Sequence, residues 1–88
     1  MIEKKITVLG VGYVGLPLII KASKFYKVVG FDIDKKKIDK LNNGIDETGS
    51  FKSSVVKKSA AVFTTRKNQI RNSDIFIICV PTPVQKKK

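Results

Sequence analysis

The stretch Ile6 to Pro17, ITVLGVGYVGLP, constrains the fold of this chain more than any other. An apolar run of Ile6, Val8 and Leu9 leads into glycines at Gly10, Gly12 and Gly15. The residues behind the glycines read as a helix, Tyr13 to Phe25, apolar on more than one face. A G-x-G-x-x-G spacing carries weight only between a strand and a helix, and both are present here. Gly10 permits a tight turn. Gly12 withholds a side chain where a phosphate would approach, and Gly15 lets the helix lie close to the strand. The expectation is that Gly10 to Gly15 receive the pyrophosphate of a dinucleotide. Pro17 removes one backbone donor near the helix start and predicts a modest kink.

The second strand, Lys27 to Asp32, completes the pattern. It ends in a carboxylate about 20 residues beyond the first glycine, the offset at which an acidic side chain accepts hydrogen bonds from ribose hydroxyls. Gly30 inside that strand predicts close packing. Asp34 is a candidate N-cap for a helix running to Asn42, and Asn43–Gly44 ends it. Ile45 to Ser50 reads as a polar connection. Phe51 to Ser59 predicts a short helix with Val55 and Val56 inward. Ala61 to Thr64 is a third strand, and Lys67 to Asn72 a helical turn anchored by Ile70. Asp74 to Val80, DIFIICV, is the most hydrophobic strand and is expected to be the most buried. Pro81-Thr82-Pro83 breaks it off.

Strands alternating with helices imply an α/β fold with a parallel sheet and right-handed crossovers. In the common dinucleotide-binding order the fourth strand lies beside the first, away from the second. The chain is thus expected to be a Rossmann-like parallel sheet with flanking helices, cut off after about four strands. Its 88 residues allow one small domain.

Composition excludes several classes. One cysteine, Cys79, and no histidine leave no disulfide, no metal set and no Cys–His catalysis within the chain. Cys79 reads as a small strand residue. No apolar run approaches the ~20 residues of a membrane span, and a strand–glycine turn stands where a signal peptide would have its core. The chain therefore reads as cytoplasmic. A net charge of +11 invites a nucleic-acid reading. Lysine supplies all but two of the 18 basic residues, however, and the lysines are spread along the chain as solvated faces with no aromatic-interleaved stripe. A basic, non-catalytic nucleic-acid-binding module stands as the alternative reading.

GVGYVGLP at the first turn, GFDID at Gly30 to Asp34, LNNGID at Leu41 to Asp46, Thr48–Gly49, FTT at Phe63 to Thr65 and VPTP at Val80 to Pro83 together resemble the UDP-glucose/GDP-mannose 6-dehydrogenase family. The resemblance covers nearly the whole chain. GFDID, NNGID and TG resemble most the bacterial branch acting on UDP-N-acetylhexosamines for capsule and surface polysaccharide synthesis. The family oxidises the C6 alcohol of a nucleotide sugar to a carboxylate, with NAD accepting two hydrides and a cysteine carrying a thioester. By resemblance, Gly10, Gly12 and Gly15 form the phosphate loop, and the N–H groups of Tyr13 and Val14 open the helix facing the pyrophosphate. Asp32 matches the residue that holds the adenosine ribose, Lys37 one that assists there, and Val80, Pro81 and Thr82 the strand end lining the cofactor cleft. Lysines 35 to 37 leave NADP arguable, but Asp32 would repel a 2′-phosphate, so NAD is the expected cofactor.

The sequence departs from the family pattern at Ser50 and Arg66, where acidic residues are usual. The family's cysteine nucleophile, its lysine and asparagine partners and its sugar-binding residues have no counterpart here, and Cys79 does not match the nucleophile. The resemblance therefore implies the NAD-binding N-terminal part of a nucleotide-sugar dehydrogenase from a truncated or split gene, inactive alone. It would meet a UDP-sugar only with the missing half supplied, and its exposed sheet edge invites association.

Overall fold

The structure is a computed structural model that describes residues 4–79. Four strands form one parallel sheet: β1 (Lys5–Leu9), β2 (Lys27–Phe31), β3 (Val62–Thr64) and β4 (Ile75–Ile78), in the order β3-β2-β1-β4. The helices are α1 (Gly15–Ala22), α2 (Lys35–Asn42) and α3 (Ser53–Lys58), and a 3-10 turn covers Lys67–Gln69. The β4-beside-β1 placement is the one expected of a dinucleotide-binding sheet.

Register follows from side-chain alternation. Lys5 pairs with Lys27 and Leu9 with Phe31, so β1 and β2 end together. Leu9 also pairs with Ile78 of β4. On the helix-covered face, Ile6, Val8, Val28 and Phe63 meet Leu16, Ile19 and Ile20 of α1, Ile38 and Leu41 of α2 and Val56 of α3. Leu16 and Ile19 are fully buried, and each such side chain contributes roughly 1.5–3 kcal/mol. Gly30 sits in this layer because a Cβ there would come within 2.8 Å of Ile19 and 3.0 Å of Phe63 and Val11.

The helix boundaries have local causes. Asp34 is the N-cap of α2 and accepts a hydrogen bond from the Lys37 N–H at 3.2 Å, worth about 1 kcal/mol. Gly44, at φ +81°, turns the chain out of α2. α1 is shorter than expected: it starts at Gly15, with Tyr13 and Val14 in the preceding turn, and ends at Ala22. Phe25 lies in the turn beyond and is exposed. Pro17 falls in the first turn of α1, where a missing N–H is tolerated.

Two expectations about burial are corrected. In α3 only Val56 is buried, and Val55 faces solvent. Adjacent helical residues point about 100° apart, and the face of α3 that meets the core carries Val56, with Val55 to its side. β4 is not the most buried strand: Ile75, Phe76 and Ile78 are all exposed, Ile78 by 69%. It is an edge strand that pairs with β1 alone among the described residues. Cys79 lies one residue past β4, half-buried, its N–H still bonded to the Leu9 carbonyl at 2.7 Å. Val80, Pro81 and Thr82 lie outside the described residues. Among the described residues no helix is long and apolar enough to cross a membrane, and no group of acidic, cysteine or histidine side chains could hold a metal.

Candidate dinucleotide-binding site

The site grows from the common end of β1 and β2. Gly10 leaves β1 at φ 104°, a conformation other residues rarely adopt, while its N–H still reaches the Phe31 carbonyl at 2.8 Å. The chain then doubles back into α1. Gly15 makes the return possible, because any Cβ there would collide with the Gly10 carbonyl. The start of α1 is thus pressed against the strand it came from.

That start is chemically available. The N-cap, Val14, has no side-chain capping bond, and the first turn carries no acidic residue. Among the described residues the N–H groups of Tyr13 and Val14 meet no acceptor. A helix N-terminus concentrates partial positive charge and unpaired donors, the complement of a phosphate. Gly12 keeps the approach clear: a Cβ at that position would meet nothing within 4 Å. Open space and unpaired donors together fit a pyrophosphate.

Asp32 stands one residue past β2. One carboxylate oxygen accepts the Val11 N–H at 3.2 Å, and the other accepts the Asp34 N–H at 2.9 Å. Two backbone donors fix its rotamer, and each oxygen keeps a lone pair for a ligand hydroxyl. The Lys37 ammonium lies 3.6 Å from Asp32. The Asp34 cap sets the phase of α2, and that phase brings Lys37, rather than Lys35 or Lys36, beside Asp32. Lys35 pairs instead with Asp39 on the exposed face, at 3.0 Å. Gly10, Gly12, Tyr13, Asp32 and Lys37 line one groove of about 370 Å³, with Ile78 and Cys79 on its β4 side. Of the expected cofactor residues among the described positions, Gly10, Gly12, Tyr13, Val14, Asp32 and Lys37 line this groove and Gly15 does not.

A second cavity, about 210 Å³, adjoins the glycine turn on the α2 side. Val11, Gly12, Tyr13 and Lys37 form one side of it, and Ile45 to Thr48 the other. The polar connection after α2 is therefore an organised wall, which sequence reasoning missed. Its organiser is Asp46. One oxygen accepts the N–H of Thr48 at 2.9 Å and its hydroxyl at 2.6 Å. The other accepts the N–H groups of Ser50 at 3.0 Å and Phe51 at 2.9 Å. Burial pushes the Asp46 carboxyl up, but the Thr48 hydroxyl and the three N–H donors outweigh it and hold the carboxyl below the ordinary range. The available signal was Asp-x-Thr-Gly, a spacing in which an acidic side chain folds back onto its own turn. Ser50 departs from the family pattern yet serves this turn through its backbone. Arg66 is exposed at the 3-10 turn, its N–H bonded to the Thr64 hydroxyl at 2.9 Å.

Comparison with known proteins identifies the family. Residues 4–88 match the profile of the UDP-glucose/GDP-mannose dehydrogenase family, NAD binding domain. The chain is 39% identical over 87 residues to a UDP-N-acetyl-D-glucosamine 6-dehydrogenase of Salmonella typhi, covering 98% of this chain and 20% of the relative. It is 36% identical over 84 residues to Protein CapL of Staphylococcus aureus, covering 96% of this chain and 20% of that protein. A solved UDP-D-ManNAc dehydrogenase from Pyrococcus horikoshii superposes with a TM-score of 0.83 at 36% identity, over 92% of this chain and 21% of that one. The chain thus spans about a fifth of the length of the relatives it matches. Relatives named for UDP-N-acetylhexosamines accord with the branch indicated by GFDID, NNGID and TG.

Proposed function

We propose a function that proceeds from one premise: the chain belongs to the UDP-glucose/GDP-mannose dehydrogenase family, within its NAD-binding domain. NAD is the cofactor of that domain, and the chain corresponds to the N-terminal, NAD-binding part of the relatives. The net-charge alternative, a nucleic-acid-binding module, gains no support from the relatives.

Specific roles extend this reading. The N–H groups of Tyr13 and Val14 bind the pyrophosphate, Gly10 and Gly15 shape the turn that presents them, and Gly12 leaves room for the phosphate. Asp32 accepts the adenosine ribose hydroxyls, and Lys37 steadies its carboxylate. Val80, Pro81 and Thr82 line the far side of the cleft. Asp32 also disfavours a 2′-phosphate, which selects NAD over NADP. One observation carries the assignment: unpartnered helix-start donors, an open Gly12 and a backbone-braced Asp32 face a single groove.

In the complete reaction, NAD held here would take hydride as the C6 alcohol of a UDP-N-acetylhexosamine is oxidised to the carboxylate, for surface polysaccharide synthesis in the cytoplasm. No residue of this chain is assigned a catalytic role, and sugar binding belongs to the parts of the relatives beyond the fifth it spans. Residues 1–88 act as part of one NAD-binding domain, and the exposed β4 edge favours association.

Calorimetric titration of the 88-residue chain with NAD, NADP and a short RNA tests this. NAD binds and NADP binds more weakly. RNA binding with a steep salt dependence and no dinucleotide affinity would overturn the reading.

A further inference from the structure

The Asp46 loop and the glycine turn face each other across a cavity, although the loop has no helix or strand to hold it there. Both of its ends are anchored. At one end Leu41 is buried and the Ile45 N–H bonds the Lys40 carbonyl at 2.8 Å. At the other, Phe51 packs against the core. Between these anchors the Asp46 carboxylate gathers four donors from Thr48, Ser50 and Phe51. Charge is also arranged. Glu47, which lines the cavity, is ion-paired with Lys40, so its repulsion of a phosphate is blunted. Lys37 lines both this cavity and the groove around Asp32.

We propose that Asp46 is a positioning residue of the dinucleotide site: by pinning the loop after α2 it maintains a second wall opposite Gly12 and Tyr13, and that wall confines the diphosphate of the ligand. The inference rests on the NAD-binding reading above. It makes a selective demand. Across the cavity from the loop lie Gly12 and Tyr13, where the diphosphate sits, together with Val11 and Lys37, which contact Asp32. Asp32, which takes the ribose, is braced by Val11 and Asp34, residues the Asp46 carboxylate does not bond. Freeing the loop should therefore weaken ligands with a diphosphate and spare those that have only the nucleoside.

The test is NMR titration of the 88-residue chain with ADP and with adenosine, for the unsubstituted chain and for Asp46→Ala, Thr48→Ala and Thr48→Ser. Asp46→Ala, which releases all four donors, weakens ADP by about tenfold, and Thr48→Ala, which removes one of the four bonds, by about threefold. Thr48→Ser keeps the hydroxyl and restores the unsubstituted affinity. Adenosine stays within about twofold throughout. If Asp46→Ala does not fold, the two Thr48 variants decide. Unchanged ADP affinity would overturn the inference, as would equal weakening of ADP and adenosine, which marks a merely structural role. An unsubstituted chain that binds neither NAD nor ADP would overturn the functional reading, and the inference with it.

Discussion

Gly12 and Gly15 belong to the same motif, but alanine should affect them in opposite ways. At Gly12 an added Cβ meets nothing within 4 Å, and Gly12 is not among the positive-φ glycines Gly10, Gly44 and Gly49. Alanine therefore fits the folded chain and restricts the unfolded one, a gain of about 0.4–1 kcal/mol. That gain raises the melting temperature by a few degrees, since 1 kcal/mol corresponds to roughly 4–8 °C in a domain of this size. The methyl group nevertheless occupies the path of the phosphate. Holding the phosphate off the Tyr13 and Val14 donors forfeits a charge-assisted bond of about 1.5–3 kcal/mol, so NAD affinity falls roughly tenfold to a hundredfold. At Gly15 the Cβ collides with the Gly10 carbonyl, backbone that cannot rotate aside, and stands 3.4 Å from Cys79. Such overpacking costs about 1–3 kcal/mol. Gly15→Ala should lower the melting temperature and lose NAD through the fold. Thermal unfolding and NAD calorimetry on both variants check this. A Gly12→Ala chain that binds NAD within twofold of the unsubstituted one, or that unfolds as early as Gly15→Ala, would show that Gly12 does not keep a phosphate path open.

Other substitutions probe the remaining parts. Asp32→Ala strands the N–H of buried Val11 and should cost about 1–3 kcal/mol in urea unfolding, with NAD binding lost, whereas Asp32→Asn keeps an acceptor and costs less. Asp46 has a folded-state pKa below its unfolded value, so its stabilisation is complete above about pH 4 and is lost as pH falls through the lowered value. Asp46→Asn should flatten that part of the stability profile, measured by thermal unfolding between about pH 6 and 3. Phe76→Lys with Ile78→Lys places charge on the exposed face of β4 and should reduce concentration-dependent association in sedimentation velocity.

The parts legible in the sequence are those whose physics is local. Gly10 and Gly44 mark turns that need positive φ, Asp34 caps the helix it precedes, and the Val8 and Val28 runs pair as parallel strands. Asp32 was legible because its offset from the glycines reflects one β-α-β unit. Burial of β4 was not, since a run such as DIFIICV records hydrophobicity and not what covers it. The inward face of α3 was hidden because six residues hold too little of a 3.6-residue period to orient. The Asp46 wall was hidden because its order comes from one carboxylate folding back over residues 48 to 51, which hydrophobic patterning cannot register.

On the function proposed above, Gly10 to Gly15 and Asp32 hold the pyrophosphate and the adenosine ribose of NAD in one groove. Amide shift mapping of the isotopically labelled 88-residue chain during NAD titration tests it most directly. The largest saturable shifts are expected at Gly12, Tyr13, Val14 and Asp32, with smaller ones at Lys37. Saturable NAD binding that leaves these amides unmoved, or shifts confined to scattered surface lysines, would contradict it.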